Sequence, residues 1–280
     1  MKKIAIIGHG YVGQAVSNFF EDHFDLTIVD PKYFSNDNEG FEQVKKYANE
    51  CEFAVICVPT PMNDDGSVDL SYIEDTFSWL EVKNILIKST IPPGTTDILQ
   101  EKFPDRLIAF SPEYIGEGKY VVQWWKDQGY PHPTDMKYHD FQIFGGAKEA
   151  TGVALQYFKK VLGPGAKYFQ TTARTAELCK YMENAWGGVK VIFCNEFAKM
   201  AEAMGVDYDE LRELWLLDGR VERMHTAVFQ DKRGFGGKCF PKDINGIVKR
   251  SEQVGYEPRL LKTALEVNKD FQKENESLSD

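Results

Sequence analysis

One cysteine, set between glycines and a proline, carries the strongest chemical signal in the chain. The stretch Gly234-Phe235-Gly236-Gly237-Lys238-Cys239-Phe240-Pro241-Lys242-Asp243 places Cys239 after a flexible run and just ahead of a predicted helix start. Pro241 suits the first helical position, where its missing N–H is no loss, and Asp243 then falls in the first turn. Unpaired N–H groups and the positive end of the helix dipole favour a thiolate at such a position, and Lys238 and Lys242 push the same way. The glycines, Gly236 among them, let backbone and ligand come close to the sulfur. This pattern suits covalent catalysis, in which a thiolate attacks an electrophilic carbon.

A second motif would supply an oxidant. Gly8-His9-Gly10-Tyr11-Val12-Gly13 fits GxGxxG, follows an apolar strand-like run at residues 3–7, precedes a helical stretch, and has Asp30 at the end of the next strand. In that context the pattern reads as a dinucleotide site. Gly8 makes the tight turn, Gly10 admits the pyrophosphate and Gly13 lets helix and strand pack, with the phosphates at the helix N-terminus beside Tyr11 and Val12. Asp30 would hydrogen-bond the adenosine ribose and repel a 2′-phosphate, so NAD is preferred over NADP; Lys32 tempers that preference.

Three polar, proline-stiffened turns end successive strands: Val58-Pro59-Thr60-Pro61, Ser89-Thr90-Ile91-Pro92-Pro93-Gly94-Thr95 and Ser111-Pro112-Glu113. Ligands of open α/β sheets lie at those carboxyl ends. Each turn alone is equally well a structural one; together they favour a site wall. Glu113 and Glu117 flank Tyr114-Ile115-Gly116, either as a base near a desolvated site or as two solvated loop carboxylates. Lys180 and Asn184 share a helix face. They could stabilise an oxyanion together, or Lys180 could pair with Glu177 on a solvated surface. Arg220 is either an anion or sugar ligand or a surface arginine. Trp124, Trp125 and Tyr130 suit loop packing better than sugar stacking.

The elements that must position these residues alternate. Strands are predicted at 3–7, 26–30, 53–58, 84–88, 107–110, 141–144 and 166–169. Helices are predicted after Gly13, at 41–48, at 69–80 with Asp69 as a cap, after Gly94 and at 148–161. Such alternation implies a parallel sheet covered on both faces. Gly116–Tyr138 reads as a long irregular loop, with a short helix at 119–125. From Thr172 apolar residues recur at helical spacing to Met204 without a proline, a long helix leading into an all-helical part with helices at 208–217, at 241–254 and from Pro258. The expected fold class is therefore a Rossmann-type parallel-sheet domain, residues 1–171, followed by a long helix and a helical second domain, residues 172–280.

Composition narrows the function. A formal net charge of −10 over 280 residues argues against nucleic acid as the main partner. No apolar run approaches a bilayer span. The five cysteines (Cys51, Cys57, Cys179, Cys194 and Cys239) include no CxxC pair, and Cys57, Cys179 and Cys194 read as core, which fits a reducing, cytoplasmic setting. The histidines have no metal-ligand spacing, so no metal site is expected.

In order, these blocks resemble the UDP-glucose/GDP-mannose dehydrogenase family from Met1 to about Phe271, and the Cys239 block is the most specific. The resemblance implies a four-electron oxidation of a nucleotide sugar by NAD: C6 alcohol to aldehyde, a thiohemiacetal and then a thioester on Cys239, and hydrolysis to the uronic acid. By family match, Lys180 and Asn184 stabilise the oxyanion, Asp243 assists with a bound water, Glu113 serves in water activation, and Thr90 orients water and nicotinamide. Thr60 and Glu117 match positions near the cofactor, Gly236 one near the sugar. Arg220 matches an arginine that reaches the sugar from a neighbouring subunit, implying a homodimer through the long helix. Family members continue into a third domain that holds much of the nucleotide, and this sequence stops where it would begin. That implies a truncated or naturally short form, with substrate held by fewer contacts, by a partner chain, or not a UDP-sugar. Two other readings stand beside this one: a catalytically silent NAD-binding protein, and a two-electron hydroxyacid or sugar-acid dehydrogenase.

Overall fold

The apolar run Lys3–Ile7 forms β1 and stops where Gly8 adopts a positive φ of +84°. A side chain is excluded there, because a Cβ would lie 2.7 Å from Cys57 O. The computed structural model of the chain describes residues 1–35, 37–115, 136–139 and 141–277. Within them the chain divides into two units, Met1–Pro61 with Asp69–Lys180, and Met62–Val68 with Tyr181–Asp280.

The first unit is a seven-stranded sheet in the order β2-β1-β3-β4-β5-β6-β7, built from Lys3–Ile7, Asp25–Val29, Phe53–Ile56, Asn84–Ile87, Leu107–Phe110, Phe141–Gly146 and Lys167–Thr171. Crossover helices connect them: α1 (Tyr11–Phe20), α2 (Asn38–Asn49), α3 (Ser71–Trp79), α4 (Thr95–Lys102) and α5 (Lys148–Leu162). Every pair is parallel except β5 and β6, where Ala109 faces Gly146 and Phe110 faces Gly145 in antiparallel register. The expected parallel sheet is present, with this one pair as its exception: strand direction follows from the connection, and the run Phe141–Phe144 carries no signal of it. The loop predicted before β6 ends in a single 3-10 turn, Met136–Tyr138; the short helix expected at 119–125, with Trp124, Trp125 and Tyr130, lies outside the described residues.

Period-two alternation assigns the two faces. Ile4, Ile6, Phe53 and Val55 pack with Phe19, Phe20 and Phe158 of α1 and α5, while Ala5, Ile7, Ala54 and Ile56 pack with Ala48, Phe77 and Leu99 of α2, α3 and α4. The order reverses between β1 and β3, so the crevice at their carboxyl ends is the topological switch point. The N-cap position of α3 is Leu70 and not Asp69; the Asp69 carboxylate, one residue earlier, accepts from Ser71 N, the first residue of the helix, at 2.8 Å.

The 32-residue helix α6 (Ala173–Met204) supplies the end of the first unit and, from Tyr181, the start of the second. The second unit continues with α7 (Tyr208–Trp215), α8 (Phe240–Gln253) and α9 (Arg259–Ser277) around Ile192, Phe235, Ile244, Ala264 and Phe271. Gly187 and Gly188 bring α6 against α8: added Cβ atoms would lie 2.6 Å from the Phe240 ring and 2.4 Å from Ile244 Cδ1. The turn Met62–Val68 also belongs here, with Val68 against Gly246.

Candidate active site

The phosphate-binding turn is built as its sequence requires. Gly8 N donates to Val29 O at 2.8 Å, tying the turn to β2. A Cβ on Gly13 would sit 2.0 Å from Gly8 O, so only glycine lets α1 start this close to β1. Gly10, by contrast, faces open space, with nothing within 4 Å of an added Cβ. No side chain caps the N-terminus of α1, and its first turn, with Tyr11 and Val12, holds no acidic residue. An uncapped, uncrowded helix N-terminus fits a diphosphate. Asp30 accepts from His9 N at 2.5 Å and from Lys32 N at 2.9 Å, so its carboxylate is fixed beside the turn. Burial, then the Lys32 charge, holds the His9 ring below its ordinary pKa against the opposing pull of Asp30.

The turns after β3 and β4 are cross-linked. Thr60 Oγ1 donates to Thr90 O at 2.9 Å, and Ser89 Oγ to Val58 O at 2.7 Å. Thr90 stays half-buried. The same segment is held from α6: Glu177, fully buried, accepts from Gly94 N at 2.6 Å and Thr96 N at 2.9 Å, at the start of α4. Burial raises the Glu177 pKa against these hydrogen bonds. Glu177 is therefore no surface partner for Lys180, whose residue is 9% exposed and whose Nζ stands 5.5 Å over the Tyr114 ring.

Glu113 is not a solvated loop carboxylate. It is 6% exposed, Oε1 accepts from Tyr114 N at 2.9 Å and Ile115 N at 3.0 Å, and Oε2 lies 3.0 Å from Lys88 Nζ. Burial pushes its pKa up, but the Lys88 charge and contact and the two backbone N–H groups overcome that and leave it lowered. Lys88, missed in the sequence, also reaches Ser111 Oγ and Pro112 O, at 3.3 and 3.4 Å. Its one signal is a cation closing the apolar strand Asn84-Ile85-Leu86-Ile87, which burial obliges to find a partner. Glu117 lies outside the described residues.

In the second unit Cys239 is the N-cap of α8, with Pro241 in its first turn and Asp243 N donating to Cys239 O at 2.8 Å. The helix opens one residue earlier than predicted, at Phe240, and the cysteine keeps its place at the positive end. Cys239 is exposed and none of the five cysteines is in a disulfide. Gly236 and Gly237 face open space, with nothing within 4 Å of an added Cβ. Asp243 is 2% exposed, accepts a hydrogen bond from Asn184 Nδ2, and pairs with Lys242 Nζ at 2.5 Å. Asn184 is 8% exposed. Asn184 and Asp243 are thus brought together in this unit; Arg220 is not joined to them. Its side chain is 88% exposed and grips Asp218 with Nε and Nη2.

A set of amides that no motif signalled shapes the cysteine loop. Asn268 accepts from Phe235 N at 2.6 Å and donates to Phe235 O at 3.0 Å. Gln272 donates to the same oxygen at 3.0 Å. Asn275 accepts from Arg233 N and donates to Arg233 O, both at 2.9 Å. The spacing 268, 272, 275 is one face of α9, legible only once its target is known.

Among the described residues no group of three or more His, Cys, Asp or Glu could hold a metal ion, and no helix is long and apolar enough to cross a membrane.

Comparison with known proteins assigns both parts. Residues 32–128 match the NAD binding domain of the UDP-glucose/GDP-mannose dehydrogenase family, and residues 174–270 match its central domain. UDP-glucose 6-dehydrogenase of Pseudomonas aeruginosa is 31% identical over 80% of this chain and 50% of its own. UDP-N-acetyl-D-mannosamine dehydrogenase of Methanocaldococcus jannaschii is 30% identical over 95% of this chain and 65% of its own. Among solved structures, a UDP-glucose dehydrogenase from Pyrobaculum islandicum superposes with a TM-score of 0.78 at 26% identity, covering 96% of this chain and 68% of that one. The chain spans half to two thirds of the length of these curated relatives. With its glycine turn, its switch-point sheet and its helix-capping cysteine, the chain belongs to the UDP-glucose/GDP-mannose dehydrogenase family, and its cofactor is NAD.

Proposed function

We propose that the chain oxidises the C6 alcohol of a nucleotide sugar, UDP-glucose in the first instance, to the uronic acid in two successive NAD-dependent steps. The observation that carries this is Cys239 at the N-cap of α8, one turn ahead of a buried Asp243 engaged by Asn184. A dehydrogenase that stops after two electrons has no use for a thiolate there. NAD, when bound, accepts the hydride. In the first oxidation C6 loses a hydride and its hydroxyl a proton, giving an aldehyde. The Cys239 thiolate adds to that carbon, forming the C–S bond of a thiohemiacetal. Loss of a second hydride and the hydroxyl proton leaves a thioester, and water cleaves the C–S bond to return the thiolate and release the carboxylate. The sum is one alcohol, one water and two NAD to one carboxylate, two NADH and three protons.

In this reading Lys180 and Asn184 steady the oxyanion, Asp243 holds a water, and Thr90 orients water and nicotinamide. Glu113, held charged by Lys88, is a weak proton acceptor, so it suits charge stabilisation and alignment of the Tyr114–Ile115 backbone better than proton abstraction. Glu117 would contact cofactor and sugar, Gly236 the sugar. Arg220 would serve a neighbouring copy, and a second copy also suits the long helix: Phe193 and Phe197 are exposed there, and the Phe193 ring lies 4.6 Å from Phe197 and 5.8 Å from exposed Trp215 of α7. We therefore read the assembly as a homodimer, in the cytoplasm, where thiols stay reduced.

The test is NADH per uronate with NAD and a panel holding UDP-glucose and UDP-N-acetylmannosamine. Two NADH per uronate are expected, and Cys239→Ser should give no uronate while still releasing aldehyde-stage NADH. Equal uronate from that variant refutes the thioester route. One NADH per product selects the two-electron reading, and no NADH from any sugar selects the silent NAD-binding protein.

A further inference from the structure

Position 9, the residue between the first two glycines, is the knot of the cofactor turn. Every polar atom of His9 is engaged. Its N–H donates to Asp30 Oδ2 at 2.5 Å, and its carbonyl accepts from Lys32 Nζ and from Gln14 Nε2 at 3.2 Å. On the ring, Nε2 is 2.9 Å from Ser17 Oγ and Nδ1 is 2.6 Å from Tyr33 OH. The directions follow by elimination. Ser17 Oγ has one hydrogen and donates it to Gly13 O at 3.0 Å, so toward the ring it accepts. Nε2 therefore carries the ring hydrogen, Nδ1 is the bare acceptor, and Tyr33 donates to it. A directed relay thus runs Tyr33 → His9 → Ser17 → Gly13 O. It joins the 3-10 turn that Asp30 caps, Pro31–Tyr33, to the third glycine of the phosphate turn.

We propose that His9 is a positioning residue for the adenosine half of NAD: through Tyr33 and Ser17 it sets the ribose-binding segment at Asp30 in register with the phosphate-binding start of α1, so both ends of the adenosine diphosphate are met by a turn already in place. The inference rests on the NAD reading of the glycine motif. Pre-organisation of this kind lowers the ordering cost of binding. Tyr33 and Lys32 belong to the same device, since Lys32 Nζ holds the His9 carbonyl and stands 4.9 Å over the Tyr33 ring. The first glycine therefore opens a turn whose shape is locked by the residue that follows it.

The test is calorimetric titration of the whole chain with NAD and, separately, with ADP-ribose, which carries the adenosine half without nicotinamide. The variants are His9→Ala, Tyr33→Phe and the pair together, and melting temperatures are recorded for all. Either single change is expected to raise Kd for both ligands by about fivefold, as loss of one hydrogen-bonded link does. Because both break the same relay, the double variant should stay near fivefold instead of reaching the product of the two, roughly twenty-five-fold. Tyr33→Phe removes one oxygen and leaves the ring, so its melting temperature should hold, which separates positioning from stability. Unchanged Kd in the variants, or effects that multiply, overturns the inference while the cofactor reading stands. No binding of either ligand by the parent chain overturns both.

Discussion

Replacing Lys88 with methionine keeps an apolar stem inside the sheet and deletes the ammonium, which isolates the buried charge of Glu113. In the parent chain the two side chains are 1% and 6% exposed and 3.0 Å apart. At an effective dielectric constant of about 20 that separation corresponds to roughly 5.5 kcal/mol of attraction, much of it offset by the cost of taking both ions out of water. Removing one partner costs more than the net worth of the pair, because the other charge stays buried: about 3–5 kcal/mol. Glu113 has one escape, which is to protonate. Burial already pushes its pKa up, and it sits below the usual carboxylate value because Lys88 and two backbone N–H groups outweigh burial. Without Lys88, burial dominates and the folded pKa rises above the unfolded one. The sign then reverses. In the parent, folded Glu113 releases its proton more readily than unfolded, so its contribution is present above the unfolded pKa and lost as pH falls through the folded one. In the variant the folded state holds the proton more tightly, so stability is recovered as pH falls. The deficit of Lys88→Met against the parent, measured by urea unfolding, should be near its full value at about pH 8 and shrink by more than half at about pH 5. Adding Glu113→Gln, which leaves no buried charge, should restore much of it. A deficit equal at both pH values, or below about 1 kcal/mol, would refute the reasoning.

Two glycine substitutions should part ways. Gly13→Ala drives a Cβ to 2.0 Å from Gly8 O and should cost about 3 kcal/mol in unfolding free energy; Gly10→Ala meets nothing and should keep its melting temperature while NAD affinity, by calorimetry, falls about tenfold. Asn268→Leu strands the buried N–H of Phe235, whose C=O keeps Gln272, and should lower stability by about 1–3 kcal/mol in denaturant titration. His225, with a left-handed φ of 63° and its ring 5.2 Å from Phe240, has its pKa lowered by burial and then by Lys190, against Glu222. Its contribution is present above the unfolded pKa of about 6.5 and is lost as pH falls through the folded value. His225→Asn, which tolerates that backbone, should flatten the fall of melting temperature with acid.

What the sequence disclosed was what is local. The glycine turn needs residues five apart and one carboxylate on the next strand, and Cys239 needs only the helix that starts beside it. Both are legible because their geometry is written within one turn. Lys88 and Glu113 meet from the ends of two strands, and a lone lysine closing an apolar run names no partner. Glu177 was legible as a neighbour of Lys180 by spacing, yet its bonds go to Gly94 and Thr96, more than eighty residues away. The antiparallel turn of β6 was hidden for a related reason: the two strands present the same alternation whichever way they run.

The amide face of α9 has a consequence for how the second unit tolerates change. The reactive loop takes its path from Asn268, Gln272 and Asn275, which read peptide groups and ignore side-chain identity. Substitutions at Arg233 or Phe235 that respect packing leave that template standing. The shape of the loop is thus stored in a strip of three carboxamides some thirty to forty residues downstream of the backbone they hold, so a designer could vary the loop's side chains while that strip keeps its path.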